Sequence, residues 1–201
     1  MSVIYILGNI ASGKTQAARY MQQLGACLIN LDERAKLLYE QNAEVRACVR
    51  AAFGDDICIE DRLNIQLLAK RAFQSAEHIE RLGACVYPQL LEDVYQEITA
   101  YRAKATASQH LVVEISAPRG FEQAFAWADD IIAITAPYKI RRTRAIARGM
   151  HPDDVDARAQ LQPTDAEIEA MATHVISNTA DLPALFAQLD AYLAPRCHAE
   201  R

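Results

Sequence analysis

Two kinds of hydrophobic pattern alternate along the chain. Val3-Ile4-Tyr5-Ile6-Leu7 is an unbroken apolar run that stops at Gly8, the pattern of a strand buried on both faces of a parallel sheet. From Thr15 to Leu24 the apolar positions take helical spacing, with Ala17, Ala18, Met21 and Leu24 on one face and Gly25 as the stop. Cys27 to Leu31 predicts a second strand, followed at once by Asp32 and a helix that begins near Glu33. Residues 43–104 read as mostly helical, broken at Phe53-Gly54-Asp55-Asp56 and again at Tyr87-Pro88, where the proline predicts a kink or a restart. His110 to Ser116, Asp130 to Thr135 and Thr173 to Ser177 predict three further strands, and Leu182 to Leu193 a closing helix.

Strands separated by helices imply an α/β doubly wound fold with right-handed crossovers. The expected architecture is a five-stranded, mostly parallel sheet flanked by helices, in a single domain. Its core would comprise about 1–42, 105–140 and 172–201, with a helical substrate-side insertion at about 43–104 and a helical lid at about 141–171.

Composition narrows the function classes. A chain of 201 residues, 51% hydrophobic, can bury roughly 70% of its unfolded surface in one core. With 7 Gly, 7 Pro and no repeat, it does not read as a disordered or linker-like chain. Lys and Arg number 21 against 26 Asp and Glu, which argues against a broad nucleic-acid or anionic-membrane surface, so any phosphate site has to be built locally. The N-terminal apolar run has no basic flank and is too short for a signal peptide, and no stretch approaches the ~20 apolar residues of a membrane span. Five cysteines, widely spaced and without C-x-x-C pairs, argue against a disulfide framework or a zinc site. They predict reduced, mostly buried thiols in a cytoplasmic protein. The expected partner is a small-molecule substrate, and the expected state a monomer or weak homo-oligomer.

The chemistry concentrates in Gly8-Asn9-Ile10-Ala11-Ser12-Gly13-Lys14-Thr15, which satisfies G-x-x-x-x-G-K-[ST] between a predicted strand and a predicted helix. Glycines let the backbone curl so that successive N–H groups face one point, and the helix that follows adds its positive end. Lys14 can reach the β- and γ-phosphates of ATP, and the Thr15 hydroxyl is placed to ligate Mg²⁺. The nucleotide-binding set therefore runs from Gly8 through Gln16.

Asp32 directly follows the second strand, so its carboxylate emerges at the carboxyl edge of the sheet beside this loop. From position alone it is either an acceptor-side base or a helix N-cap. A later segment is dense in arginine. Arg144 and Arg148 share a helix face, as do Arg158 and Gln162, and guanidinium groups on a lid can cover a triphosphate. The alternative is a solvated basic face, the reading that fits Arg141 and Arg142.

Taken in order, these residues resemble the dephospho-coenzyme A kinase family nearly end to end. The family's G-G-I-G-S-G-K-S type loop is matched by Gly8 to Thr15, and its G-x-x-x-I-D-A-D segment by Gly25 to Asp32. Phe53-Gly54-Asp55-Asp56-Ile57 with Asp61, Leu68-Ala69 through Phe73, Arg144-x-x-x-Arg148, Arg158-x-x-x-Gln162 and Val175-Ile176-Ser177-Asn178 also fall in family order. The resemblance implies a P-loop kinase that uses ATP and Mg²⁺ to phosphorylate the ribose 3′-hydroxyl of dephospho-CoA. It implies Asp32 as catalytic base, with Lys14 and Arg144 also catalytic. Arg148 and Asn178 join the loop in nucleotide binding.

The sequence departs from the family on the acceptor side. Tyr87-Pro88 stands for a histidine-proline step, and Asp61-Arg62-Leu63-Asn64-Ile65 for D-G-x-L-x-R. Ser116-Ala117-Pro118-Arg119-Gly120 stands for P-L-L-F-E, and Asn30 for the first aspartate of I-D-A-D. These changes motivate a second reading, a kinase of the same fold acting on another nucleoside, nucleotide or pantetheine-like acceptor. A third is a nucleotide-binding regulatory module.

Overall fold

In the computed structural model, which describes residues 2–60, 62–104 and 109–194, each apolar run forms a strand of one sheet. Asp61, named above, and Cys197, one of the five cysteines, lie outside the described residues. Strands β1 (Ser2–Leu7), β2 (Cys27–Asn30), β3 (Cys58–Ile59), β4 (Arg62–Leu63), β5 (His110–Ile115), β6 (Asp130–Thr135) and β7 (His174–Ser177) follow in chain order. The helices are α1 (Lys14–Gln23), α2 (Leu31–Gln41), α3 (Ala43–Phe53), α4 (Ile65–Ala72), α5 (Ala76–Lys104), α6 (Tyr138–Ala147), α7 (Pro152–Leu161), α8 (Asp165–Ala170) and α9 (Leu182–Leu193). The five long strands pair in the order β2-β5-β1-β6-β7, every pair parallel.

Alternation along β1 explains why its sequence is apolar throughout. Val3, Tyr5 and Leu7 enter a core shared with α2, α3, α4 and α5, while Ile4 and Ile6 enter a second core against α1 and α9. The carboxyl ends of all five strands lie along one edge. Because β1 is central, the loop that leaves it opens into the crevice where α/β folds place ligands. Among the described residues no helix is long and apolar enough to cross a membrane.

Four expectations are corrected. Helix α5 runs without a restart from Ala76 to Lys104 through Pro88. Pro88 itself is exposed, while Cys85 and Val86 before it and Leu90, Leu91 and Val94 after it stay packed in one core, and that packing outweighs the roughly 3 kcal/mol a helical proline costs. Cys48 and Cys85 form a disulfide between α3 and α5, with Cα atoms 5.6 Å apart. They are 37 residues apart in sequence, and only the packing of the two helices brings them within bridging distance. Cysteine usage therefore no longer argues for a reducing compartment. Arg141, read as surface, is buried, and Arg142, though half-exposed, pairs with Asp156. Asp32 is not the N-cap of α2. That place belongs to Asn30, whose Oδ1 accepts from the Glu33 N–H. A short hairpin, β3–β4, was also not foreseen in the helical insertion.

Candidate active site

The phosphate loop follows β1 and delivers α1 with a bare N-terminus. Gly13 occupies the N-cap position at φ 110°, no side chain caps the helix, and its first turn holds no acid. The free N–H groups of that turn therefore carry no acidic side chain of the helix's own against them. Gly8 has no room for a side chain, since a Cβ there would stand 2.5 Å from the Ile134 carbonyl oxygen. Ala11 takes the left-handed conformation at φ 57°, a local strain of about 1 kcal/mol for a residue with a Cβ.

Asn178, just past β7, grips the loop from behind. Its Nδ2 donates to the Ser12 carbonyl at 2.7 Å, and Arg144 donates in turn to the Asn178 carbonyl at 3.0 Å and to the Ala180 carbonyl at 2.8 Å. Arg144 thus braces the segment that braces the loop. Gln162, at the end of α7, accepts from the Ile10 N–H at 2.9 Å. Arg148 lies farther along the arginine stripe and is exposed. Arg158 instead stacks its guanidinium over the Phe73 ring, 4.6 Å from the centroid.

Lys14 is buried at the start of α1. Burial pulls its pKa below the ordinary lysine value, the carboxylates of Glu114 and then Asp32 oppose that fall, and Arg148 adds to it. One ammonium thus feels the loop strand's neighbour β5, the end of β2 and the arginine helix together. Asp32 sits exposed in the first turn of α2, and its charge also reaches Tyr39 and Tyr87. Burial first, then Tyr87 and Asp32, pushes the Tyr39 phenol up to about 12. Burial, then Glu122 and Asp32, raises that of Tyr87. Both therefore stay protonated and able to donate.

Glu114 was not foreseen as a site residue. Its carboxylate is buried at the end of β5, accepts from the Thr15 hydroxyl, and accepts from Asn30 Nδ2 at 2.8 Å. The β2–β5 register sets Asn30 directly opposite Glu114, so the two side chains share a face of the sheet. The available signal was one carboxylate inside the apolar strand His110-Leu-Val-Val-Glu-Ile115. Glu114 and Thr15 bring a carboxylate and a hydroxyl oxygen together, the donor chemistry Mg²⁺ prefers, while the Asn30 amide nitrogen holds the carboxylate in place.

Comparison with known proteins places this geometry in context. The family model described as dephospho-CoA kinase matches residues 2–184. A dephospho-CoA kinase of Salinibacter ruber is 32% identical over 188 residues, covering 90% of this chain and 91% of the relative. That of Corynebacterium diphtheriae is 30% identical over 182 residues, 89% of each. A crystal structure from Thermus thermophilus superposes with a TM-score of 0.76 at 28% identity, covering 96% of both chains. Dephospho-CoA kinase from Campylobacter jejuni, at 17% identity over 96% of this chain and 95% of its own, shares the fold with a TM-score of 0.61.

Proposed function

The chain belongs to the dephospho-CoA kinase family, a family of phosphotransferases, and from that membership we propose how its own residues move the γ-phosphoryl group of ATP to the ribose 3′-hydroxyl of dephospho-CoA. The observation that carries the reading is the phosphate loop that delivers the buried Lys14 at the start of α1, with the Thr15 hydroxyl beside it bonded to the buried Glu114 carboxylate. N–H groups of the loop from Gly8 to Gln16, other than those of Ile10 and Ser12, which are already donated within the protein, and the Lys14 ammonium hold the β- and γ-phosphates. Arg148 closes over them, and Arg144 keeps Asn178 and the loop in place, so that positive charge is already arranged where the transition state becomes more negative.

Asp32 accepts the proton of the attacking hydroxyl. It is exposed in the first turn of α2, so an acceptor can reach it, as a general base requires. Tyr39 and Tyr87, both held protonated, line the same side and are suited to donate to oxygen or nitrogen atoms of the acceptor. The Thr15 hydroxyl, with the Glu114 carboxylate behind it, would hold Mg²⁺, since one or two protein oxygens suit this ion in phosphate sites. When bound, it neutralises charge on the transferring phosphates.

The test is ADP release with ATP and Mg²⁺, with and without dephospho-CoA, and the mass of the product. Acceptor-dependent release with a product matching CoA supports the reading. The altered Tyr87-Pro88 and Ser116–Gly120 segments favour a different acceptor on the same fold as the second reading. It would appear as nucleotide binding with no phosphorylation of dephospho-CoA and turnover with another hydroxyl compound.

A further inference from the structure

The phosphate loop carries a side chain where the family's loop type has glycine, and that side chain is buried and fully engaged. Asn9 is 3% exposed. Its Nδ2 donates to the Pro163 carbonyl at 2.9 Å and to Asp165 Oδ1 at 2.8 Å. Both oxygens of Asp165 accept from Arg141 Nη2, at 3.2 and 3.3 Å, and Arg141 Nε donates to the Ala136 carbonyl at 2.8 Å. Arg141 is 6% exposed. The chain of bonds therefore runs from the loop, through the start of α8 and the face of α6, to the residue that follows β6, the strand beside β1.

We propose that Asn9, Asp165 and Arg141 form a positioning relay that sets the phosphate loop's shape from the root of the lid, and that nucleotide affinity depends on it. A loop that binds phosphate through its N–H groups works only if those groups are aimed before the ligand arrives. Here the first half of the loop, Asn9 and Ile10, is held by residues 162–165 at the α7–α8 junction, and the second half by Asn178. Arg141 and Asp165 form a charge-assisted pair with one member buried. Such a pair keeps its geometry far better than two exposed side chains would. Movement of the α7–α8 junction and loosening of the loop are therefore one event. The effect of Arg141 and Asp165 on the phosphates runs through Asn9.

The inference rests on the loop's being the nucleotide site, and one experiment separates the two. ADP binding is measured by calorimetry on the full chain, for the wild type, Asn9→Ala, Asp165→Asn and the double variant. The relay predicts that each single change weakens ADP by about 5- to 20-fold, and that the double variant is no weaker than the worse single one, the signature of groups acting in series. KM for the acceptor stays within about 2-fold, because Asp32 and its side of the site are untouched. Should Asn9→Ala fail to fold, Asn9→Gly and Arg141→Lys close the same cycle. Equal ADP affinity across the variants, effects that multiply in the double variant, or a lowered melting temperature with unchanged ADP affinity would each overturn the relay. A wild-type chain that binds no ADP overturns the nucleotide-site reading, and the relay with it.

Discussion

Around the phosphate loop, residues 9–13 are fixed by directed polar contacts. Asn9, Ile10 and Ser12 each bond a side chain or backbone group more than 150 positions away, and Glu114 ties Thr15 to Asn30. The insertion from α3 to α5 is held differently, by apolar packing of Val45, Val49, Phe53, Val86 and Leu90, by the Cys48–Cys85 bridge and by exposed ion pairs such as Arg50–Asp55 and Arg81–Glu77. Hydrogen bonds demand particular atoms at particular distances, whereas packing accepts any side chain of suitable volume. The sequence departures from the family fall in both regions: Tyr87-Pro88 lies in the packed insertion, whereas Asn9 and Asn30 lie in the polar network, where each is held by directed hydrogen bonds.

The largest effects should come from breaking the nucleotide half. Lys14→Ala is expected to lower turnover on the order of 10³-fold or more, because the ammonium facing the transferring phosphates is gone. Asp32→Asn is expected to lower it by roughly 10²- to 10⁴-fold while ADP affinity is retained. Full activity in that variant would remove Asp32 as base. Glu114→Gln keeps the shape of the cluster and loses its charge, so kcat should fall about 10- to 100-fold and the Mg²⁺ concentration for half-activity should rise. A change in kcat with no change in Mg²⁺ dependence would assign Glu114 to orienting Thr15 alone.

Smaller effects should separate the acceptor half. Reducing the Cys48–Cys85 bridge frees a loop whose ends are 37 residues apart, which corresponds to about 4 kcal/mol in a chain-entropy account. The melting temperature should fall on reduction while the ADP affinity of the folded protein stays the same. The smallest change expected is in Gly83→Ala. A Cβ at that position would stand 2.7 Å from the Tyr87 ring, so the ring must swing, and acceptor KM should rise several-fold with ATP KM unchanged. An unchanged acceptor KM would take Tyr87 out of the acceptor pocket.

Much of this was legible in the residues. The boundaries of β6 and α9 fall where periodicity set them, and the loop between β1 and α1 lies where its glycines and lysine put it. Glu114 was missed because a single carboxylate in a strand looks like an end effect until the β2–β5 register brings Asn30 beside it. Arg141 was misread because neighbouring arginines in sequence share no face of a helix. Arg141 turns inward to Asp165, 24 residues on, and Arg142 outward to Asp156. Of the kink or restart expected at Pro88 only the restart is excluded, since a local rule about a lost hydrogen bond knows nothing of the core on either side of it.

The sequence by itself determined the strand and helix alternation, the phosphate loop and the family, because periodicity and backbone-specific residues act over a few positions and survive any change of surroundings. Only the tertiary structure decided which arginine braces the loop's support and which stays exposed, which cysteines meet, and that Asn9 reaches Asp165. Those contacts join residues far apart in the chain, and their distances are set by how helices and strands pack together, a quantity that no local pattern encodes.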